Sequence, residues 1–184
     1  MELNKFIIQS EAQIVEIKVT PEMLKFAQEK AKAMGVLNKH SMMKGERNVE
    51  GILGELAALQ YLPNSIATDN FDNDLKIGEV TIDVKTKRLT MKPRLYYDCT
   101  VYGYNPNQEC HVYLFAGVKA DHSTVWLQGF MSKPGFYQAA EFCPAGSERP
   151  LGNGKTLTYK EDNYVVQVNK LAKMDVLKKI VIKK

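Results

Sequence analysis

Residues 72–87 read Asp72-Asn73-Asp74-Leu75-Lys76-Ile77-Gly78-Glu79-Val80-Thr81-Ile82-Asp83-Val84-Lys85-Thr86-Lys87, two alternating runs joined by a Gly-first pair. Such a pair suits a two-residue hairpin loop. With Ile77 opposite Val80, Asp74 falls opposite Asp83, and Lys85 projects from the same face as Asp83. The other face, with Ile82 and Val84, is apolar and β-branched, as in a strand lying on a core. Like charges directly opposed destabilise a ladder. A divalent cation between the two carboxylates would remove the conflict.

The chain has 184 residues, 45% hydrophobic and 25% charged. These are the proportions of one ordinary globular domain with a good core. A net charge of +4 is compatible with a polyanionic partner without requiring one. Cys99, Cys110 and Cys143 are odd in number and lack C-x-x-C spacing, so a reducing, cytoplasmic setting is expected and a zinc site is not. The short apolar run Phe6 to Ile8 is too brief for a signal peptide, and no stretch approaches the ~20 residues of a membrane span.

Gln13 to Val19 alternates as a half-buried strand. Thr20-Pro21-Glu22 opens a helix expected to stop at Gly35. Leu24, Ala27, Ala31 and Met34 form its apolar stripe. A basic connection follows over Leu37 to Arg47, and then a helix from about Val49 to Tyr61, ended by Pro63. After the hairpin, strands are expected at Tyr96–Tyr102, His111–Val118, Thr124–Phe130 and Tyr164–Val168, with a short helix over Pro134–Phe142. Gly146 to Gly154 reads as a loop, and the tail from Asn169 is Lys-rich. Helices first, then clustered strands, point to α/β or α+β around one main sheet.

Glu55 is the second anomaly. It sits in Gly51-Ile52-Leu53-Gly54-Glu55-Leu56-Ala57-Ala58, where nearly every neighbour is apolar. A buried glutamate must be paired, neutral or metal-bound. Gly51 and Gly54 each weaken a helix by roughly 1 kcal/mol relative to Ala, which fits a place where another backbone or a nucleic-acid strand comes close. A lysine partner for Glu55 is the alternative to a metal.

A glutamate on a helix, then an aspartate, then Asp-x-Lys on the next strand resembles the PD-(D/E)XK nuclease superfamily, which includes restriction endonucleases and Holliday-junction resolvases. The matching residues are Glu55, Asp74 and Asp83-Val84-Lys85. Asn73 stands where the family often has proline. His111 to Val118 and Val125 to Met131 resemble the later core strands of that fold, so the likeness covers about residues 48–131. The Gln-xxx-Tyr element of exonuclease-like members is not evident.

The resemblance implies a restriction-endonuclease-like α/β fold, with a central mixed β-sheet flanked by helices in a single domain over 1–184. It implies a Mg²⁺-dependent DNA endonuclease, with Mn²⁺ as a substitute ion. Asp74, Asp83 and the Val84 carbonyl would hold the metal, and Glu55 would complete the site directly or through water. Lys85 would orient or deprotonate the attacking water and stabilise charge at phosphorus. Asp72, opposite Lys85 in the register, is the spare carboxylate should a bulge intervene.

Lys44, Arg47, Lys87, Arg88 and Lys92 are candidates for phosphate contact, with Arg94 beside them. Tyr96, Tyr97, Tyr102 and Tyr104 are candidates for stacking on bases. Duplex or branched DNA is the expected partner. A dimer or a partner protein would supply the rest of a duplex site. The alternative is a nuclease-derived module that grips nucleic acid without cutting it.

Overall fold

The computed structural model describes residues 14–37, 46–68, 72–103, 107–150 and 154–182. In chain order the strands and helices are β1 (Val15–Lys18), α1 (Pro21–Leu37), α2 (Glu46–Tyr61), β2 (Ile66–Ala67), β3 (Leu75–Ile77), β4 (Val80–Leu89), β5 (Asp98–Tyr102), β6 (Val112–Lys119) and β7 (Thr124–Ser132). Then come α3 (Lys133–Ala139), β8 (Glu141–Cys143), β9 (Glu148–Pro150), β10 (Thr156–Thr158), β11 (Asn163–Gln167) and α4 (Met174–Ile182), with a 3₁₀ turn at Val168–Lys170.

The fold is mixed α/β. Six strands form one sheet in the order β1-β7-β6-β4-β3-β2. Within it β4 and β6 run parallel, and every other neighbouring pair is antiparallel. A parallel pair needs a long crossover, and here β5 lies in that connection. It pairs with β11 in a second sheet, β5-β11-β8. β9 and β10 form a separate ribbon.

The β3–β4 hairpin has the expected register, Ile77 with Val80 and Leu75 with Ile82. Gly78 carries φ +56° at the first loop position, as a II′ turn requires. The alternation of β4 then divides two cores. Ile82 and Val84 pack with Leu53, Ala57 and Leu114 under α1, α2 and α4. Tyr113 and Phe115, cross-strand neighbours of Asp83 and Lys85, pack with Phe136, Val101 and Val166 on the other side.

Thr20 caps α1, its Oγ1 accepting the Met23 N–H at 3.2 Å. Gly35 does not stop this helix, which runs on to Leu37. The stripe is buried at Ala27 and Ala31, whereas Met34 is 37% exposed. α2 begins three residues before Val49. Gly54 packs against β4, where an added Cβ would come 2.1 Å from Thr86 Oγ1. Gly51 has open space, so no neighbour explains it.

Three expectations need correction. β5 begins at Asp98 rather than Tyr96. The helix after β7 ends at Ala139, and Phe142 belongs to β8, where it pairs with Tyr164 of β11. The 146–154 loop holds β9, paired with β10. The Lys-rich tail contains α4, whose Met174 and Leu177 enter the main core. Among the described residues no helix is long and apolar enough to cross a membrane.

Candidate active site

Asp83 and Lys85 stand on one face of β4, beside Tyr113 of β6. Asp83 is 4% exposed. Gln108 Nε2 donates to Asp83 Oδ1 at 2.7 Å, and Lys85 Nζ donates to Gln108 Oε1 at 3.1 Å. Lys85 Nζ also lies 2.7 Å from Asp83 Oδ2. That contact is an ion pair out of line for a hydrogen bond, so Oδ2 is buried with no hydrogen-bond partner. The ammonium lies 5.6 Å from the centre of the Tyr113 ring. Lys133 Nζ donates to the Gln108 carbonyl and ties down the loop.

Asp74 lies just before β3, one residue beyond the last paired position, Leu75 with Ile82, and the expected pairing with Asp83 is not formed. Its carboxylate turns to the edge of β4, where Oδ2 accepts the Val84 N–H at 2.7 Å. Its own N–H donates to the Ile82 carbonyl at 3.0 Å. Asn73 fixes the approach, its Oδ1 accepting Thr68 Oγ1–H at 2.8 Å. Burial first, then the charges of Asp83 and Glu55, push the Asp74 carboxyl up to about 7, against the opposing pull of the Val84 N–H and Lys85. The charges of Asp83 and Glu55 therefore both reach Asp74.

Glu55 is less buried than its apolar neighbours imply, with 26% of its side chain exposed. It reaches Lys30 of α1 at 3.9 Å, the lysine pairing that competes with a metal role. Among the described residues no three His, Cys, Asp or Glu side chains are close enough together to cage a metal ion. Burial, then the Asp83 carboxylate, push the Cys110 thiol up to about 11, so it stays protonated and is no nucleophile. The three cysteines are free thiols.

Asp72 lies to one side of this cluster. Its Oδ1 accepts the Glu109 N–H at 3.2 Å, and it lines a neighbouring hollow with Thr81 and His111. Lys87 is exposed on the Asp83 face. Arg88 is on the opposite face, as strand alternation requires. Its Nη2 donates to the Ala120 carbonyl at 3.0 Å and its Nε lies 3.7 Å from the buried Glu50, while 57% of its side chain stays exposed. Lys92 is exposed beyond β4, and its charge acts on Glu16 of β1, three strands from β4. Arg94 donates to Tyr96 Oη at 3.0 Å. Lys44 and Tyr104 lie outside the described residues, as does the side chain of Arg47.

Sequence reasoning missed Gln108, which clamps both Asp83 and Lys85. It follows Asn105-Pro106-Asn107 in a polar stretch with no periodic signal, and only the crossover from β4 to β6 brings it to the site. No family model, no curated protein and no solved structure matches this chain.

Proposed function

We propose that the chain is a divalent-metal-dependent nuclease that hydrolyses DNA phosphodiester bonds, as an endonuclease built on a restriction-endonuclease-like core. The observation that carries this reading is the buried Asp83 oxygen without a hydrogen bond, beside an Asp74 carboxyl raised by burial and by Asp83 and Glu55. The single ammonium of Lys85 does not offset three carboxylates in a largely buried place, and a divalent cation would.

A Mg²⁺-sized ion fits these donors. They are hard oxygens, and Mg²⁺ commonly takes only one or two carboxylates and fills the rest with water and substrate phosphate. Asp74, Asp83 and the Val84 carbonyl would hold it, since that carbonyl shares a strand edge with the Val84 N–H bound by Asp74. Glu55 would contribute directly or through water. When bound, the ion supplies Lewis-acid polarisation of the phosphate and neutralises its charge.

The chain's own groups do the rest. Lys85 is held by Asp83 and Gln108, which fixes its ammonium for orienting water and stabilising charge that grows at phosphorus. Lys87, further along the same face, is suited to the adjacent phosphate. By resemblance the products carry 5′-phosphate and 3′-hydroxyl ends. A second copy or a partner protein would complete a duplex site. Three free thiols agree with a reducing, cytoplasmic setting.

The test is incubation with plasmid, linear and branched DNA and with RNA, in Mg²⁺, Mn²⁺ or EDTA. DNA should be cut only with metal, and Asp83→Asn should lose both cleavage and Mn²⁺ binding by calorimetry. Unchanged Mn²⁺ affinity in that variant refutes the ligand set. DNA binding by the wild type without cleavage in either metal leaves a non-catalytic binding module.

A further inference from the structure

Beyond Lys85, the next side chains on the same face of β4 are Lys87 and Leu89. Both line a groove of about 860 Å³ that runs from the main sheet to the β8 and β9 region. Same-face residues repeat every ~6.6 Å along a strand, so Leu89 lies about 13 Å from Lys85, a few nucleotides along a DNA strand. The volume is that of a small-molecule site.

The lining is aromatic. Tyr96, Tyr97, Phe142 and Tyr159 all contribute, and Tyr96 and Phe142 are about half exposed. Arg149, the groove's cation toward β8 and β9, is already paired with two of its carboxylates. Arg149 Nε lies 2.8 Å from Asp98 Oδ2 and its Nη1 lies 2.8 Å from Glu141 Oε2. Away from Lys87, which stands at the end next to Lys85, a phosphate would find Arg149 spent and a further carboxylate, Glu148, nearby. A flat, neutral ring with hydrogen-bonding edges meets no such opposition. Tyr159 gives a second, independent sign of a ligand. It is 6% exposed, and its hydroxyl has no partner among the described residues stronger than the neighbouring Cys143 thiol.

We propose that this groove holds an unpaired DNA base, stacked on Tyr96 and Phe142 and hydrogen-bonded at its edge by Tyr159. The base belongs to the strand whose phosphate occupies the Asp74, Asp83 and Lys85 site, and to that extent the inference rests on the nuclease reading. It makes the preferred substrate a duplex with an unpaired segment beside the cut, rather than a continuous duplex.

The test is fluorescence anisotropy in EDTA with three labelled probes: a fully paired duplex, the same duplex with a single-stranded overhang, and that overhang with abasic sites in place of its bases. The overhang should bind at least about 5-fold more tightly than either control. Tyr96→Leu combined with Phe142→Leu should remove that gain and leave paired-duplex affinity unchanged. Tyr159→Phe, which keeps the ring, should reduce the gain by about 2-fold or more. Thermal melts check that each variant is folded. Equal binding of base-containing and abasic overhangs, or a full gain in both variants, overturns the proposal. Cleavage of paired duplex in Mg²⁺ is measured separately. Cleavage without a base-dependent gain removes the groove alone, whereas a base-dependent gain without cleavage removes the nuclease reading and leaves the groove.

Discussion

Gln108 Nε2 donates to Asp83 Oδ1 at 2.7 Å, and through this bond a loop residue sets the orientation of the most buried carboxylate of the site. Hydrogen bonds to a charged partner contribute about 1.5–3 kcal/mol, and more is lost when a buried charge is left without them. Gln108→Ala should therefore destabilise the metal-free protein by about 2 kcal/mol in urea unfolding. The deficit should grow in millimolar Mg²⁺, because the wild type, with Asp83 held in place, binds the ion more tightly and is stabilised more. An equal deficit with and without metal would separate Gln108 from the metal site.

Lys85 should matter for turnover more than for metal affinity. It faces Asp83 Oδ2 at 2.7 Å without supplying a metal ligand of its own. Lys85→Ala should lower single-turnover cleavage by about 10²-fold or more, equivalent to roughly 2.7 kcal/mol of transition-state stabilisation. Mn²⁺ affinity should change little. A near-normal cleavage rate in this variant would remove Lys85 from the mechanism.

Asp74 links stability to pH. Its carboxyl titrates near 7 in the folded protein against an ordinary value of 3.8. Between those values the folded state holds a proton that the unfolded state has released. Stability therefore falls as pH rises from about 4 to about 7, by up to roughly 3–4 kcal/mol, and is flat above. Asp74→Asn removes this dependence. In EDTA the variant should gain on the wild type between pH 5 and pH 7.5, as followed by thermal melts. Metal must also displace that proton. Mn²⁺ binding by the wild type should release close to one proton from this group at pH 6 and almost none at pH 8, measured by calorimetry in buffers of different ionisation enthalpy.

Strand alternation separates two adjacent basic residues. Lys87 is on the Asp83 face and Arg88 faces Glu50 and the Ala120 carbonyl. Lys87→Gln should flatten the log–log salt dependence of duplex binding by up to ~0.9, the release expected for one phosphate contact. Arg88→Gln should leave that slope unchanged and show itself in stability. The opposite assignment of effects would place the DNA on the α2 side of the sheet.

What was legible in the sequence follows from local rules. The register of Leu75 with Ile82 was readable because a Gly-first loop and a two-residue period together leave one pairing. That pairing put Asp83 and Lys85 on one strand face, whereas the grouping of Glu55 with them came only from the family resemblance. The pairing of Arg88 with Glu50 was not legible, because it joins β4 to the start of α2. Gln108 was hidden for the same reason, since its position is set by the chain's return into parallel β6. Gly35 continues α1 although its intrinsic preference is to end a helix, because tertiary context overrides propensity. Helix α4 was masked by lysines, although its Met174 and Leu177 are buried in the main core.

Gly54 shows how the site depends on the packing beneath it. A Cβ there would stand 2.1 Å from Thr86 Oγ1, and Thr86 belongs to the strand that carries Asp83 and Lys85. Gly54→Ala would ordinarily strengthen a helix, by roughly 1 kcal/mol. Here overpacking should dominate, with a net loss of about 1–3 kcal/mol and a shift of α2 away from β4. Thr86 Oγ1 is itself buried without a hydrogen-bond partner. Thr86→Ala should therefore cost little alone, and combined with Gly54→Ala it should restore most of the lost stability. The double-mutant cycle in urea measures this as a coupling energy between the two positions. Strictly additive effects would show that α2 does not bear on β4 at Gly54, and Glu55 would then lose the contact that sets its distance from Asp74.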